Sequence, residues 1–380
     1  VRVAVLADLA ADGVPVGGVQ RAVTTLTTAL QDAGLEVTVI APDFGIAEVT
    51  HSHTYPFPLT RLPLPGKGQI LRRFKPWVAT CHAALAEFQP QIVHAHGLLH
   101  NGVAAAQWPE CPTLLTAHGD PVADAREHYA AAVFRAMRPM LNRAVIASLA
   151  GADLVANVTC EWWVNLPRKP RGMVHVPNAI EPVFFGGRRP EPQPRVMYFG
   201  GTRRIKGLDL LLEAWESVHR YRPDVTLDLF GVDEAEAEAV AGTRASQLPE
   251  WGCRAHGPVP TNRVAEEMAA GGVVAVPSRF EVAPLVVPEA WASQVPLVAT
   301  AVGGVPAMAA SAAYLCGPEA ASIADALLAA LEGGPIAGAR IAIGAERACA
   351  HRPEAVAAAH LTLYSGLLDG EASGPAASGV

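Results

Sequence analysis

The sequence has no apolar run near the eighteen or so residues that a membrane span needs, and no CxxC pair among its six cysteines, scattered at 81, 111, 160, 253, 316 and 349. The first absence excludes a spanning helix. The second points away from a disulfide framework or a zinc ribbon and toward the reduced thiols of a cytoplasmic protein. A basic excess is also missing: 29 Lys and Arg stand against 36 Asp and Glu, a net charge of −7 that argues against a general nucleic-acid binder. There is no repeat of solenoid period and no GxxxxGK[ST] phosphate loop. The opening VRVAVLADLA carries an Asp and reads as a first strand, not as the apolar core of a secretory signal.

What is present is a well-cored soluble composition, 51% apolar and 17% charged. At 380 residues the chain exceeds one ordinary core, so two domains are expected. Short β-rich runs alternate with longer Ala/Leu segments. VRVAVLA (1–7), EVTVIAP (36–42), PQIVHAH (90–96), TLLTAH (113–118), DLVANVT (153–159) and GMVHVP (172–177) read as strands, and 17–34 as a helix closed by Gly34. Residues 181–194, dense in Pro, Gly and Arg, read as a linker. A second series follows: RVMYFGG (195–201), a helix over 208–221, DVTLDLFG (224–231), VVAVPS (273–278) and PLVAT (296–300). The expected fold class is α/β, two doubly wound parallel-sheet domains facing each other. Their bounds are 1–180 and 195–350, followed by an amphipathic helix over 351–368 and a disordered tail over 369–380.

Such sheets bind ligands beyond the carboxyl ends of their strands, and several motifs fall there. YFGGTRRIKG (198–207) sets Arg203, Arg204 and Lys206 between a strand and a helix, with Gly200, Gly201 and Gly207 letting a ligand approach the backbone. Fixed cations and N–H donors in that pattern grip a diphosphate without metal. In SRFEVAPLVVPEAWA (278–292) Glu281 lies in a loop past a strand end, and Glu289 lies in the first or second turn of a helix that opens at Pro284 or Pro288. Two carboxylates beside a phosphate-binding turn suit the hydroxyl donors of sugars; a solvated loop and a dipole-friendly helix start are the plainer reading. Gly17–Gly18 opens the first helix as a further N–H cradle. His118 ends a strand. His94 and His96 with His118 offer three imidazoles, the basis of a competing reading as a zinc hydrolase. Two stretches are basic: 61–77, with five positive charges and no acid, and 166–172 with three. They read as solvated loops, or as a face toward an anionic acceptor or a membrane. Trp162–Trp163 read as a packed helix face or an acceptor-stacking pair.

GGVQRAV, IVHAHG, LLTAHG, VHVPNAI, YFGGTRRIKG, FGVDE, HGPVP and SRFEVAPLVVPEAWASQVPLVATAVGGVP occur in one order from residue 17 on. Together they resemble the retaining, GT-B-fold glycosyltransferases of family 4; the Glu-x7-Glu spacing followed by PLVAT and a Gly pair is the most specific part. The resemblance implies two facing Rossmann-like domains with the last helix crossing back to the first. It implies a nucleotide-diphosphate sugar as co-substrate, with no further cofactor and no metal. Lys206, with an Arg partner nearby, would bind the diphosphate, Glu281 the hydroxyls of the transferred sugar and Glu289 the ribose. The N–H groups of Ala283 and Leu285 would meet the phosphate, the base would rest near Gly257–Val259, and His118 would lie under the sugar on the acceptor side. Gly17 and Gly18 would serve closure over the diphosphate, and Asn178 falls in the hinge segment. Two positions depart from the pattern. Gly201 stands where the family has Arg, so Arg203 or Arg204 is expected to supply that charge, and Pro284 replaces a Gly, removing one N–H.

The expected activity is therefore a retaining transfer from a UDP- or GDP-type sugar to a small-molecule or glycan acceptor, in a cytoplasmic enzyme that binds no nucleic acid. The Ala, Arg, Pro and Gly content suggests a high-GC bacterial source, with a setting in natural-product or glycoconjugate biosynthesis. Two further readings compete with it. One is a membrane-associated enzyme with a lipid acceptor, leaning on 61–77; the other is a GT-B module that binds nucleotide sugar without turnover.

Overall fold

The structure is a computed structural model that describes every residue except 11, 16, 65–73, 120–121, 123–125, 127–130, 160–169, 171 and 371–380. Trp162–Trp163, most of the two basic stretches and most of the tail lie outside the described residues. The chain forms two compact units, one of residues 1–179 with the chain from Pro353 on, the other Ile180–Arg352.

The first unit is built on β1 (Arg2–Leu6), β2 (Glu36–Asp43), β3 (Thr50–Ser52), β4 (Leu59–Pro63), β5 (Ile92–His96), β6 (Thr113–Ala117), β7 (Leu154–Asn157) and β8 (Met173–His175). Their order is β3-β4-β2-β1-β5-β6-β7-β8, and only the β3–β4 pair is antiparallel. Runs such as VAVL in β1 and IVHAH in β5 are buried along their whole length, as expected for parallel strands covered on both faces. One cover is the helix Gly18–Asp32, whose Ala22, Val23, Leu26, Ala29 and Leu30 recur at helical spacing and are buried. Gly34, at φ +87°, follows it in the left-handed region that a helix end favours. The helix Pro353–Leu368 lies against the same core: Val356, Ala357, Leu363, Tyr364 and Leu367 join the cluster of Val3, Val5 and Leu30. Each such buried Val or Leu contributes roughly 1.5–3 kcal/mol. The chain thus leaves this unit and returns to it.

The second unit carries β9 (Arg195–Phe199), β10 (Thr226–Phe230), β11 (Cys253–Ala255), β12 (Val273–Val276), β13 (Leu297–Thr300) and β14 (Tyr314–Cys316), all parallel, in the order β11-β10-β9-β12-β13-β14. The sequence order reverses between β9 and β12. In open parallel sheets a ligand crevice lies at the carboxyl edge where the strand order reverses. On one face Leu211, Leu212 and Trp215 of the helix Leu208–Tyr221 pack with Leu227, Leu229 and Leu327. On the other, buried Asp228 takes Arg195 Nε at 2.6 Å and His256 Nε2 at 2.7 Å, and Arg195 also pairs with Glu267. Losing one partner of such a buried set costs about 3–5 kcal/mol. Within 181–194, Pro182–Phe184 forms a turn with Phe184 buried.

Four strands depart from the sequence reading. β3, β11 and β14 have three residues each and show no usable alternation. β4 carries Arg61 and ends in Pro63; Arg61 is paired there with Asp43, Nη2 to Oδ2 at 2.5 Å.

Candidate active site

The loops after β9 and β12 are the two that meet at the reversal point. After Phe199 the chain turns through Gly200 and Gly201. Tyr198 folds back so that its hydroxyl donates to Gly201 O at 2.8 Å, and a Cβ at Gly200 would lie 2.6 Å from that hydroxyl. Burial, reinforced by the carboxylates of Glu281 and Asp209, raises the Tyr198 phenol well above its ordinary value, so it remains a donor. Arg204–Lys206 then form one 3-10 turn, closed by Gly207 at φ +70°. Gly207 is required twice over, by its backbone angle and because a Cβ would sit 1.9 Å from Pro277 O. The loop after β9 is in van der Waals contact with the loop after β12.

That contact brings the predicted pair together. Lys206 Nζ donates to Glu281 Oε1 at 2.7 Å, and Ser278 Oγ donates to the same oxygen at 2.8 Å. The Glu281 side chain is 11% exposed and that of Lys206 37%. Glu281 O accepts from Gly304 N at 2.9 Å, and a Cβ on Gly303, at φ +54°, would lie 1.9 Å from that carbonyl. Gly303 of AVGGVP is thus a steric requirement of the Glu281 loop, while Gly304 contributes only its backbone N–H. Arg203 and Arg204 are exposed in the same turn as Lys206.

Past Glu281 the chain runs through Ala283, Pro284 and Leu285 into the helix Val286–Ala292. Leu285 caps it, with its carbonyl accepting from Glu289 N at 3.0 Å. Glu289 falls in the first turn, as the dipole favours, and its side chain is buried at 2% exposure. In the same unit Gly257, at φ +67°, is tied to the loop after β10 by Gly231 N to Gly257 O at 2.8 Å and Gly257 N to Val232 O at 2.9 Å. Phe199, Phe230 and His256 stack in series beside it, with centroid spacings of 4.9 and 4.5 Å. Val259 follows, half-buried.

Gly17, Gly18 and His118 belong to the first unit. Gly17 takes φ +82° and precedes the helix that Gly18 opens; nothing lies within 4 Å of a Cβ built there, so the backbone angle alone calls for glycine. His118 follows β6. Its Nε2 lies 2.8 Å from His96 Nδ1, one donating and the other accepting. Burial lowers the His118 pKa to about 4, opposed by a hydrogen bond with the Asn178 side chain. His94 is bound at both nitrogens, Nδ1 with Tyr364 Oη at 2.8 Å and Nε2 with Thr116 Oγ1 at 2.7 Å. Burial and neighbouring imidazoles push His94 and His96 well below the ordinary value. His360, from the returning helix, is likewise lowered to about 4. The zinc reading does not survive this geometry: His94 has no free nitrogen, and among the described residues no three His, Cys, Asp or Glu side chains are placed to hold a metal. These histidines are a buried, neutral, hydrogen-bonded cluster.

Sequence reasoning did not single out Ser278, Tyr198, Asp209 or Arg279 as site residues. Arg279 forks onto Asp209, Nη1–Oδ1 at 2.6 Å and Nη2–Oδ2 at 2.7 Å. The two are 70 residues apart, and no spacing rule links them; only the adjacency of β9 and β12 does.

Residues 16–182 match the family profile described as Glycosyltransferase Family 4, and residues 193–333 that of Glycosyl transferases group 1. Over 237 residues (58% of this chain, 55% of the relative) the sequence is 28% identical to TuaC of Bacillus subtilis (strain 168), a glycosyltransferase named for teichuronic acid biosynthesis. Over 119 residues (30% of this chain, 28% of the relative) it is 35% identical to D-inositol 3-phosphate glycosyltransferase of Xylanimonas cellulosilytica. The matched stretches thus span about half or less of these curated relatives. Sucrose-phosphate synthase from Thermosynechococcus elongatus has the same fold, with a TM-score of 0.79 at 22% identity, covering 97% of this chain and 99% of that one. HepE of Anabaena, solved with UDP and glucose, aligns with a TM-score of 0.71 at 17% identity, covering 96% and 100%. No single helix among the described residues is long and apolar enough to cross a membrane. Two parallel-sheet α/β domains, the motif order and both profiles agree: the chain belongs to the family 4, group 1 glycosyltransferases, with a GT-B fold.

Proposed function

We propose that the chain is a retaining glycosyltransferase moving a sugar from a UDP- or GDP-type nucleotide sugar to a small-molecule or glycan acceptor. The observation that carries this reading is the meeting of Lys206 and Glu281 at the point where the second sheet's strand order reverses. A cation and a carboxylate held side by side offer the two functions a nucleotide sugar needs, charge for the diphosphate and an acceptor for sugar hydroxyls. Ser278 and Gly304 hold Glu281 from behind, so the carboxylate remains in place when Lys206 turns to phosphate.

In the reaction the anomeric C–O bond breaks, its electron pair leaves with the diphosphate, and the sugar gains oxocarbenium character. The acceptor oxygen attacks on the same face and its proton passes to the leaving phosphate oxygen, which preserves the anomeric configuration. Lys206, with Arg203 or Arg204, neutralises the charge that grows on the diphosphate, and fixed charge aimed at a developing anion is the largest stabilising contribution such a site offers. Glu289 receives the ribose, Ala283 and Leu285 face the phosphate, and the base lies by Gly257–Val259. His118, neutral at pH 7, serves the acceptor side with Gly17 and Gly18.

A thermal-shift screen of UDP-, GDP-, ADP- and dTDP-sugars tests the reading. A donor present at 100 times its Kd adds about 2.7 kcal/mol by mass action, a rise of about 5–10 °C for a domain of this size. No shift with any of the four families at millimolar concentration would contradict it.

A further inference from the structure

Within the turn that carries Lys206, the backbone bonds Lys206 N to Arg203 O at 2.8 Å and Gly207 N to Arg204 O at 3.1 Å close only the turn itself. Arg204–Lys206 is a single 3-10 turn without a fully buried residue. Besides the Lys206–Glu281 pair, its fastening to the neighbouring loop comes from Arg279. Arg279 N donates to Ile205 O at 2.8 Å, and its guanidinium Nη1 donates to Arg204 O at 2.8 Å. The same guanidinium forks onto both oxygens of Asp209, in the first turn of the helix that follows, at 2.6 and 2.7 Å. One residue therefore holds the turn before and after Lys206. It lies two positions from Glu281, the carboxylate on which Lys206 is paired at 2.7 Å.

We propose that Arg279 is a positioning residue for the diphosphate site: with Asp209 it fixes the 203–207 turn against the Glu281 loop and so sets where Lys206 Nζ stands. The inference rests on the reading of Lys206 as the diphosphate cation. An isolated ion pair at this exposure, 25% for Arg279 and 41% for Asp209, contributes little. This one differs in its geometry. The planar fork reaches two carboxylate oxygens and a main-chain carbonyl at once, and a lysine ammonium cannot reproduce that pattern. The fork also holds the Asp209 carboxyl below its ordinary pKa, which keeps the pair charged across neutral pH.

The test compares Arg279→Lys, Asp209→Asn and Lys206→Ala, singly and with Arg279→Lys combined with each of the others. Affinity for UDP, GDP, ADP and dTDP is measured by calorimetry, turnover with the sugar donor that stabilises the wild type, melting temperature, and hydrogen exchange of the 203–207 amides. A displacement of about 1 Å in a charge-positioning group costs up to about a hundredfold in rate, so Arg279→Lys is expected to lower turnover by about ten- to a hundredfold. Exchange at 203–207 should rise while the melting temperature moves by a few degrees at most. The Arg279→Lys loss should shrink to less than about twofold once Lys206 is already Ala, because residues acting through one another are not additive. Asp209→Asn should behave in the same way, and the Asp209–Arg279 double variant should be no worse than the more damaging single. The proposal is overturned by unchanged exchange at 203–207, by a lowered melting temperature with native affinity and turnover, or by an Arg279→Lys loss that persists in full on the Lys206→Ala background. If Lys206→Ala itself leaves affinity and turnover untouched, the donor-site reading fails instead, and the exchange measurement alone decides whether Arg279 holds the turn.

Discussion

Replacing Lys206 by Ala removes the ammonium that stands 2.7 Å from Glu281 Oε1. Two consequences of different size follow. The fold loses a partly exposed pair, worth about 0–1 kcal/mol. Glu281 keeps its bond from Ser278 Oγ and its carbonyl keeps Gly304 N, so the loop stays in place. The melting temperature should therefore fall by no more than about 2–4 °C. The reaction loses more. A unit charge about 4 Å from a developing phosphate charge contributes about 4 kcal/mol at an effective dielectric constant of about 20. At about 1.4 kcal/mol per decade that is close to three orders of magnitude, and removal of a single charged or hydrogen-bonding group at an oxyanion costs on the order of 10²–10³ in rate. The expected result is a loss of 10²–10³ in kcat/KM, read from initial rates of nucleoside diphosphate release in the presence of acceptor. Lys206→Arg, which restores charge but not shape, should recover part of the loss. A Lys206→Ala enzyme within a factor of about three of the wild type would remove Lys206 from the reaction, although a partly exposed pair with Glu281 is too weak to explain its place by fold stability alone.

Glu289→Ala should weaken nucleoside diphosphate binding by about 1–3 kcal/mol, the cost of leaving a ribose hydroxyl without its acceptor; unchanged affinity with a lowered melting point would assign the buried carboxylate to packing of its helix. Gly201 has open space where a side chain would begin, so Gly201→Arg should fit and tighten nucleotide binding by about tenfold, as a charge-assisted bond of about 1.5 kcal/mol or more predicts; a weaker complex would show that Arg203 or Arg204 already fills that place. Stability should fall on acidification. His118 and His360 have folded pKa values lowered to about 4 against about 6.5 unfolded, so the unfolded chain takes up protons first. Each histidine's contribution is fully present above about pH 6.5 and declines by about 3 kcal/mol as pH drops toward 4. Urea midpoints between pH 7.5 and 4 measure this, and a flat profile would contradict the burial of the cluster.

The parallel sheets were legible because β1, β9, β12 and β13 are largely apolar runs and β2 and β5 are rich in Val and Ile. The helices 208–221 and 353–368 were legible because their apolar residues recur at helical spacing. The three-residue strands β3, β11 and β14 leave no pattern, and their places come from tertiary pairing alone. At the site, the Lys206 and Glu281 loops were readable as strand-end loops, but their mutual distance was not, because it depends on β9 and β12 being neighbours. The Arg279–Asp209 fork was invisible for the same reason. The histidine motif misled in one respect. HAH beside a third His is equally the pattern of a ligand set and of a buried polar cluster, and what decides between them is the partner of each nitrogen. For His94 those partners are Thr116 and Tyr364, the latter 270 residues away.

If the Lys206 and Glu281 loops hold a nucleoside diphosphate, titration calorimetry will register it. Wild-type protein titrated with UDP, GDP, ADP and dTDP is expected to bind at least one with a single site per chain, and Lys206→Ala and Glu289→Ala should each weaken that complex. Failure of all four nucleotides to bind the wild type, or wild-type affinity retained in both variants, would overturn that assignment.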